Sequence, residues 1–69
     1  MAVHSIRVHA VRFEEDVAVV VGVDLHSGAP VAFHADPRTG EAIWQAVAAA
    51  SSDRDLPTAE VEGSLLAGA

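Results

Sequence analysis

Four histidines, His4, His9, His26 and His34, fall in the first half of a 69-residue chain that contains no cysteine. Imidazole exchanges protons near neutral pH and binds transition metals, so these residues are the first place to look for chemistry. Asp36 lies two residues beyond His34, and in a strand the two would project from one face. His9, His34 and Asp36 would then supply two imidazoles and a carboxylate, a recognised transition-metal set. The spacing is demanding, because His9 and His34 would sit on either side of a central strand, both opposite Val20 and roughly 10 Å apart at Cα. The plainer reading leaves both histidines solvated on an outer face and makes Asp36 a helix cap. His4 at a strand end and His26 in a turn lie further off. We therefore expect no cofactor, and keep a small-molecule or metal-binding protein as the alternative reading.

Nucleophilic catalysis finds less support still. Ser27 falls in a turn, Ser51 and Ser52 follow a helix, and none lies in a G-x-S-x-G elbow. The glycines spell neither G-x-G-x-x-G nor a P-loop, so those phosphate cradles are missing. Asp24 and Glu41 read as isolated carboxylates without an acid-base partner. The expectation is a protein that is not an enzyme.

The elements that position these residues follow from hydrophobic alternation. Val17, Val19, Val21, Val23 and Leu25 alternate with other residues, His26-Ser27-Gly28 interrupts, and alternation resumes at Val31, Phe33 and Ala35. This predicts a hairpin with strands at 17–25 and 29–35 and one face toward a core. A three-residue loop would pair Leu25 with Ala29, Val23 with Val31, Val21 with Phe33 and Val19 with Ala35, with Gly28 in the left-handed region. An earlier strand at 3–13 changes phase between Ala10 and Val11. A β-bulge there would put Ile6, Val8 and Ala10 on one side with Val11 and Phe13, and turn Arg7, His9 and Arg12 outward. In the acidic turn Glu14-Glu15-Asp16, Asp16 is the residue best able to take a left-handed conformation.

Asp36-Pro37-Arg38-Thr39-Gly40-Glu41 carries helix-start chemistry, with Asp36 and Thr39 competing for the N-cap. A helix over 38–51 would bury Ile43, Ala46, Val47 and Ala50, with Trp44 at the margin of the stripe. Asp53-Arg54-Asp55 and Pro57 end it, and residues 58–66 form a last strand, after which Ala67-Gly68-Ala69 should fray. The fold class is α+β: a three-stranded antiparallel meander, one helix packed on it, and a fourth edge strand, in the order β-β-β-α-β. If the helix returns the chain along the sheet, strand four runs parallel to strand one or three. Pairing of Glu60 and Glu62 with Arg7 and Arg12 favours strand one as its neighbour. A small-barrel variant satisfies the same order. The order is also similar to that of the OB fold, which has a helix between strands three and four. That resemblance is confined to element order, for a fifth strand and the basic, aromatic platform of single-strand binders are missing. It implies a third reading, an OB-like nucleic-acid binder.

Composition narrows the function classes. Residues 1–69 suffice for one small domain, which at this size buries only about 60% of the surface its unfolded chain exposes. Ten acidic residues against four arginines and no lysine give a net charge of -6, which repels phosphate backbones. A charged, apolar leader and a membrane-length apolar run are both lacking, so a cytoplasmic protein without membrane contact is expected. The bias toward Ala and Val points to a GC-rich bacterial or phage genome. In the register above, Ala18, Val20, Gly22 and Ala32 form an outer row that is small and apolar where solvent calls for polar residues, and a sheet apolar on both faces needs a second layer. With Trp44, this row is the expected interface of a homo-oligomeric, non-catalytic protein-interaction module, such as a small accessory or inhibitor protein.

The turn is the most direct test of the hairpin. Gly28→Val should lower the melting temperature, because a left-handed residue with a Cβ costs about 1 kcal/mol or more, whereas Ser27→Ala should hardly change it. Thermal denaturation of the two variants checks this.

Overall fold

Strands β1 (Val3–Phe13), β2 (Ala18–Asp24) and β3 (Pro30–Ala35), helix α1 (Pro37–Ala49), a single 3-10 turn at Asp53–Asp55 and strand β4 (Thr58–Glu62) follow one another in the computed structural model, which describes residues 3–62. The strands form one sheet in the order β3-β2-β1-β4, every neighbouring pair antiparallel, and α1 packs on β1 and β2. The α+β class and the element order agree with the sequence. The small-barrel variant does not form, because β3 and β4 are left as two open edges. The part of the expected last strand beyond residue 62, and the fraying end, lie outside the described residues.

β4 lies beside β1 as the charges suggest, but it runs antiparallel and not parallel. Val3 pairs with Glu62, Ser5 with Glu60 and Arg7 with Thr58. The helix starts near the Phe13 end of β1, and the chain rejoins β1 midway, where the Val8 amide donates to the Pro57 carbonyl at 2.9 Å. A strand entering there has only the Val3 end ahead of it. Glu60 and Glu62 consequently face Ser5 and Val3, and β4 stops short of Arg12.

A bulge in β1 is present one to two residues earlier than expected. Val8 pairs with Gly22 and Ala10 with Val21, so His9 is the extra residue. Ile6, Val8, Val11 and Phe13 thereby share one face, but Ala10, expected with them, turns to the other because the bulge falls before it. The acidic turn closes through the Glu14 amide and the Val17 carbonyl, 2.9 Å apart. No described residue other than glycine has positive φ, so Asp16 is not left-handed.

The facing of β2 is the reverse of the expectation. Phe13 pairs with Ala18 and Val11 with Val20 on one side, while Val20 pairs with Phe33 and Gly22 with Val31 on the other. Ala18, Val20 and Gly22 therefore belong to the core face, and Ala18 and Val20 are fully buried. Val19, Val21 and Val23 point to the opposite face, where they pair with His34, Ala32 and Pro30. Between β2 and β3 the turn is closed by the Asp24 amide on the Ala29 carbonyl at 2.9 Å, with four residues, Leu25 to Gly28, inside that closing pair in place of the expected three. Lengthening a loop by one residue slips the register by one, which exchanges the faces of one strand relative to the other. Gly28 takes φ 76°, the left-handed conformation expected of it.

Residue size explains why the small set faces the helix. Asp36 is the N-cap by position and Pro37 opens α1, which leaves Gly40 inside the helix and buried. A Cβ built on Gly40 would overlap the Ala18 Cβ and lie 3.4 Å from Phe13 Cε1. Glycine against alanine lets the helix backbone come down onto the sheet, and larger pairs there would hold it off. Ile43, Val47 and Ala50 continue the inner stripe half-buried, whereas Ala46, expected in it, is exposed.

Gly40→Ala tests this approach against helix propensity. Alanine should favour the helix by about 1 kcal/mol, but overpacking costs about 1–3 kcal/mol. The expected result is a lower melting temperature, recovered in part by adding Ala18→Gly. A higher melting temperature for Gly40→Ala alone would show that the helix has room to move.

Candidate functional site

The one buried charged residue among the described residues is Asp24, 8% exposed at the end of β2. Its Oδ1 accepts the His26 amide at 2.8 Å and the Ser27 amide at 3.4 Å. This is an Asx-type turn, in which a short carboxylate stands in for a backbone acceptor. Its Oδ2 lies 3.3 Å from His4 Nδ1 across the β1–β2 ladder, the only ion pair among the described residues when the imidazole is protonated. The Asp24 carboxyl titrates below its ordinary range. The His26 amide is the main cause, with the His4 ring and the Ser27 amide adding to it against the opposing effect of burial. Val3, His4, Ser5, Asp24 and His26 line an open depression of about 450 Å³ at this end of the sheet.

What this cluster can do chemically is limited by where its atoms point. A carboxylate that orients an imidazole is the second half of a nucleophile–base–acid relay; the nearby hydroxyls are Ser5, which lines the depression, and Ser27, whose Oγ accepts the Ala29 amide at 3.3 Å. His4 and Ser5 are consecutive in a strand and project from opposite faces, and no hydrogen bond joins them among the described residues. The pair therefore lacks a nucleophile, and Asp24 spends one oxygen on the turn. Sequence reasoning passed over it by treating Asp24 as isolated and His4 as remote. The legible signal was Asp24 four residues before Gly28, the pattern of a capped turn.

The residues singled out from sequence are mostly not brought together. His9 occupies the bulge, His34 pairs with Val19 and not with Val20, and Asp36 leaves the sheet to start α1. Thr39 holds the Asp36 carboxyl below its ordinary range, yet no side-chain capping bond of good geometry forms. No three His, Asp or Glu residues among those described gather closely enough to hold a metal ion, so the His9, His34 and Asp36 set is not assembled. Of the expected interface, Ala18, Val20 and Gly22 are buried on the core face of the sheet. Ala32 is on the open face but only 3% exposed. Trp44 alone is accessible, at 48%, and with Phe13 and Glu41 it lines an open groove of about 420 Å³.

No protein-family model, curated protein or solved structure matches this chain. Within the described residues no helix is long and apolar enough to cross a membrane.

The charge on Asp24 has a defined pH signature. A carboxyl whose folded pKa is depressed contributes stability that is fully present above its unfolded value, about 3.9, and is lost as pH falls through the folded one. Asp24→Asn should therefore melt below wild type at pH 7, and the gap should close toward pH 2. A gap unchanged by pH, measured by thermal denaturation across that range, would assign the role of Asp24 to shape and not charge.

Proposed function

We propose that this chain is a non-catalytic protein-interaction module that self-associates through the open face of its sheet. The observation that carries the reading is the central strand, whose outward row is Val19, Val21 and Val23 on the face away from the single helix. A solvated antiparallel face ordinarily alternates to polar residues. Here Val21 is flanked by Ala10 and Ala32, with Arg12 and His34 beside Val19 and Arg7 and Pro30 beside Val23, so the centre of the face is apolar and the polar residues stand to either side. The expected need for a second layer thus persists with the two faces exchanged.

Two further features favour a second copy as the cover. The chain carries a net charge of -6, but Arg7 and Arg12 balance Glu60 and Glu62 on this face, so two copies can meet there without the repulsion found elsewhere. Arg7 Nε is buried there without a hydrogen-bond partner among the described residues, and an acceptor from a docked subunit would relieve that cost.

Val21 is half-buried at the centre of the row. Val21→Glu would place an unpaired charge in the proposed interface, and should shift sedimentation from dimer to monomer while leaving the folded monomer intact. Wild-type protein that is monomeric at tens of micromolar, with a melting temperature indifferent to Val21→Glu, would refute self-association through this face.

A further inference from the structure

We infer that the groove between Phe13 and Trp44 is a docking site for an arginine-bearing basic segment of a partner protein, with Glu41 as counter-charge. The groove lies on the helix side of the sheet, away from the proposed self-association face, and the inference does not rest on that reading. Phe13 is 51% and Trp44 48% exposed, although both belong to elements that pack against each other. Glu41 and Trp44 are three residues apart on α1, hence on one helix face, and Phe13 ends β1 beside the first turn of that helix, where Gly40 meets it. The three residues line one groove.

The chemistry of that lining selects a cation. Aromatic faces attract a guanidinium or ammonium through their quadrupole, and Glu41, which forms no ion pair among the described residues, supplies a full negative charge beside them. Phe13 runs directly into Glu14, Glu15 and Asp16, all exposed, and with Glu41 these four acids outnumber the neighbouring Arg12 and Arg38, so the net charge at this end of the molecule is negative. Arginine suits the site better than lysine, since its planar group stacks on indole while its N–H donors reach a carboxylate. The groove is open, and three residues cannot enclose the 70% or more of a small ligand's surface that tight small-molecule sites typically bury. A side chain carried on a polypeptide brings its remaining contacts with it, and electrostatic complementarity then steers the encounter.

Trp44 is the only tryptophan and reports directly on the site. The full chain is titrated with an octa-arginine peptide and with octa-lysine and octa-glutamate controls, following Trp44 emission and the anisotropy of labelled peptide. A saturable response is expected, strongest for arginine, weakened by salt and unaffected by Val21→Glu. Glu41→Gln and Phe13→Ala should each weaken binding about two- to fivefold, the range for exposed cation–π and ion-pair contacts. Glu60→Gln removes the same charge from the opposite face of the sheet and should have no such effect. Because Glu41 is exposed, its variant keeps the test valid if Phe13→Ala fails to fold. Absence of a saturable change, or equal weakening by Glu41→Gln and Glu60→Gln, would overturn the inference. Loss of self-association on Trp44→Ala without any peptide response would assign the groove to a second copy instead.

Discussion

Asp24 accepts two amide protons from the turn it precedes, and that geometry fixes the length of the loop between β2 and β3. A loop closed at Asp24 and Ala29 pairs Val20 with Phe33; closed at Leu25 and Ala29 it would pair Val21 with Phe33. Because strand side chains alternate with period two, this single step decides which row of β2 joins Phe33 in the core. Charge makes the capped turn the better solution, since an ionised acceptor bonds backbone amides more strongly than a neutral one. His4 meets the other oxygen across the sheet, so the same carboxylate ties the β2–β3 turn to β1. The Asp24 carboxylate is thereby explained as structure: both of its oxygens are occupied by the fold they hold.

The row selected is the one that a close helix requires. Ala18 is too small to fill a core by itself, and its use is to let the helix backbone approach at Gly40, while Gly22 leaves room for the β1 backbone at Arg7 and for Ile6. Close approach recovers dispersion contacts that wide spacing would lose. The consequence falls on the opposite face, where the larger residues Val19, Val21 and Val23 are left over. One short helix has only one stripe to offer, so the far face depends on neighbouring strand side chains, which bury Val19 and Ala32 but leave Val21 and Val23 half-buried. The apolar excess on the open face and the tight packing on the helical face thus follow from the same allocation of residue sizes.

This allocation also marks the boundary of what could be read from the chain. The four strands, the helix, a phase-correcting bulge in β1 and the left-handed Gly28 were legible, because each rests on local alternation or turn chemistry; β4 does lie beside β1, but not through the expected charge pairs, since Glu60 and Glu62 face Ser5 and Val3. The inward facing of Ile6, Val8, Val11, Phe13, Val31 and Phe33 was legible too. The facing of β2 was not, since both of its rows are apolar and periodicity has no preference between them. Size was the missing criterion: the bulkier row looked like core, whereas the helix needed the smaller one. The direction of β4 escaped for a different reason, because it depends on how far along the sheet the helix carries the chain before Pro57. The candidate sites suffered most. The imagined metal set assumed a register one residue away from the real one, while the His4–Asp24 pair joins residues 20 apart in sequence and needs the true register to be seen.

Charge is distributed as unevenly as size. The open face carries two arginines against two glutamates, whereas the Phe13 end gathers Glu14, Glu15, Asp16 and Glu41 around two exposed aromatic rings. A surface with balanced charge can meet its own copy, because like meets like without net repulsion. A surface where acids outnumber the neighbouring Arg12 and Arg38 meets its own copy less readily, and complementarity there favours a cationic partner. The two proposed contacts therefore differ in kind as well as in place, one dominated by apolar area and the other by electrostatics. Salt should act on them in opposite directions: screening weakens a cation held at the Glu41 end, but it removes the residual repulsion between two acidic subunits that valine-to-valine contact must overcome.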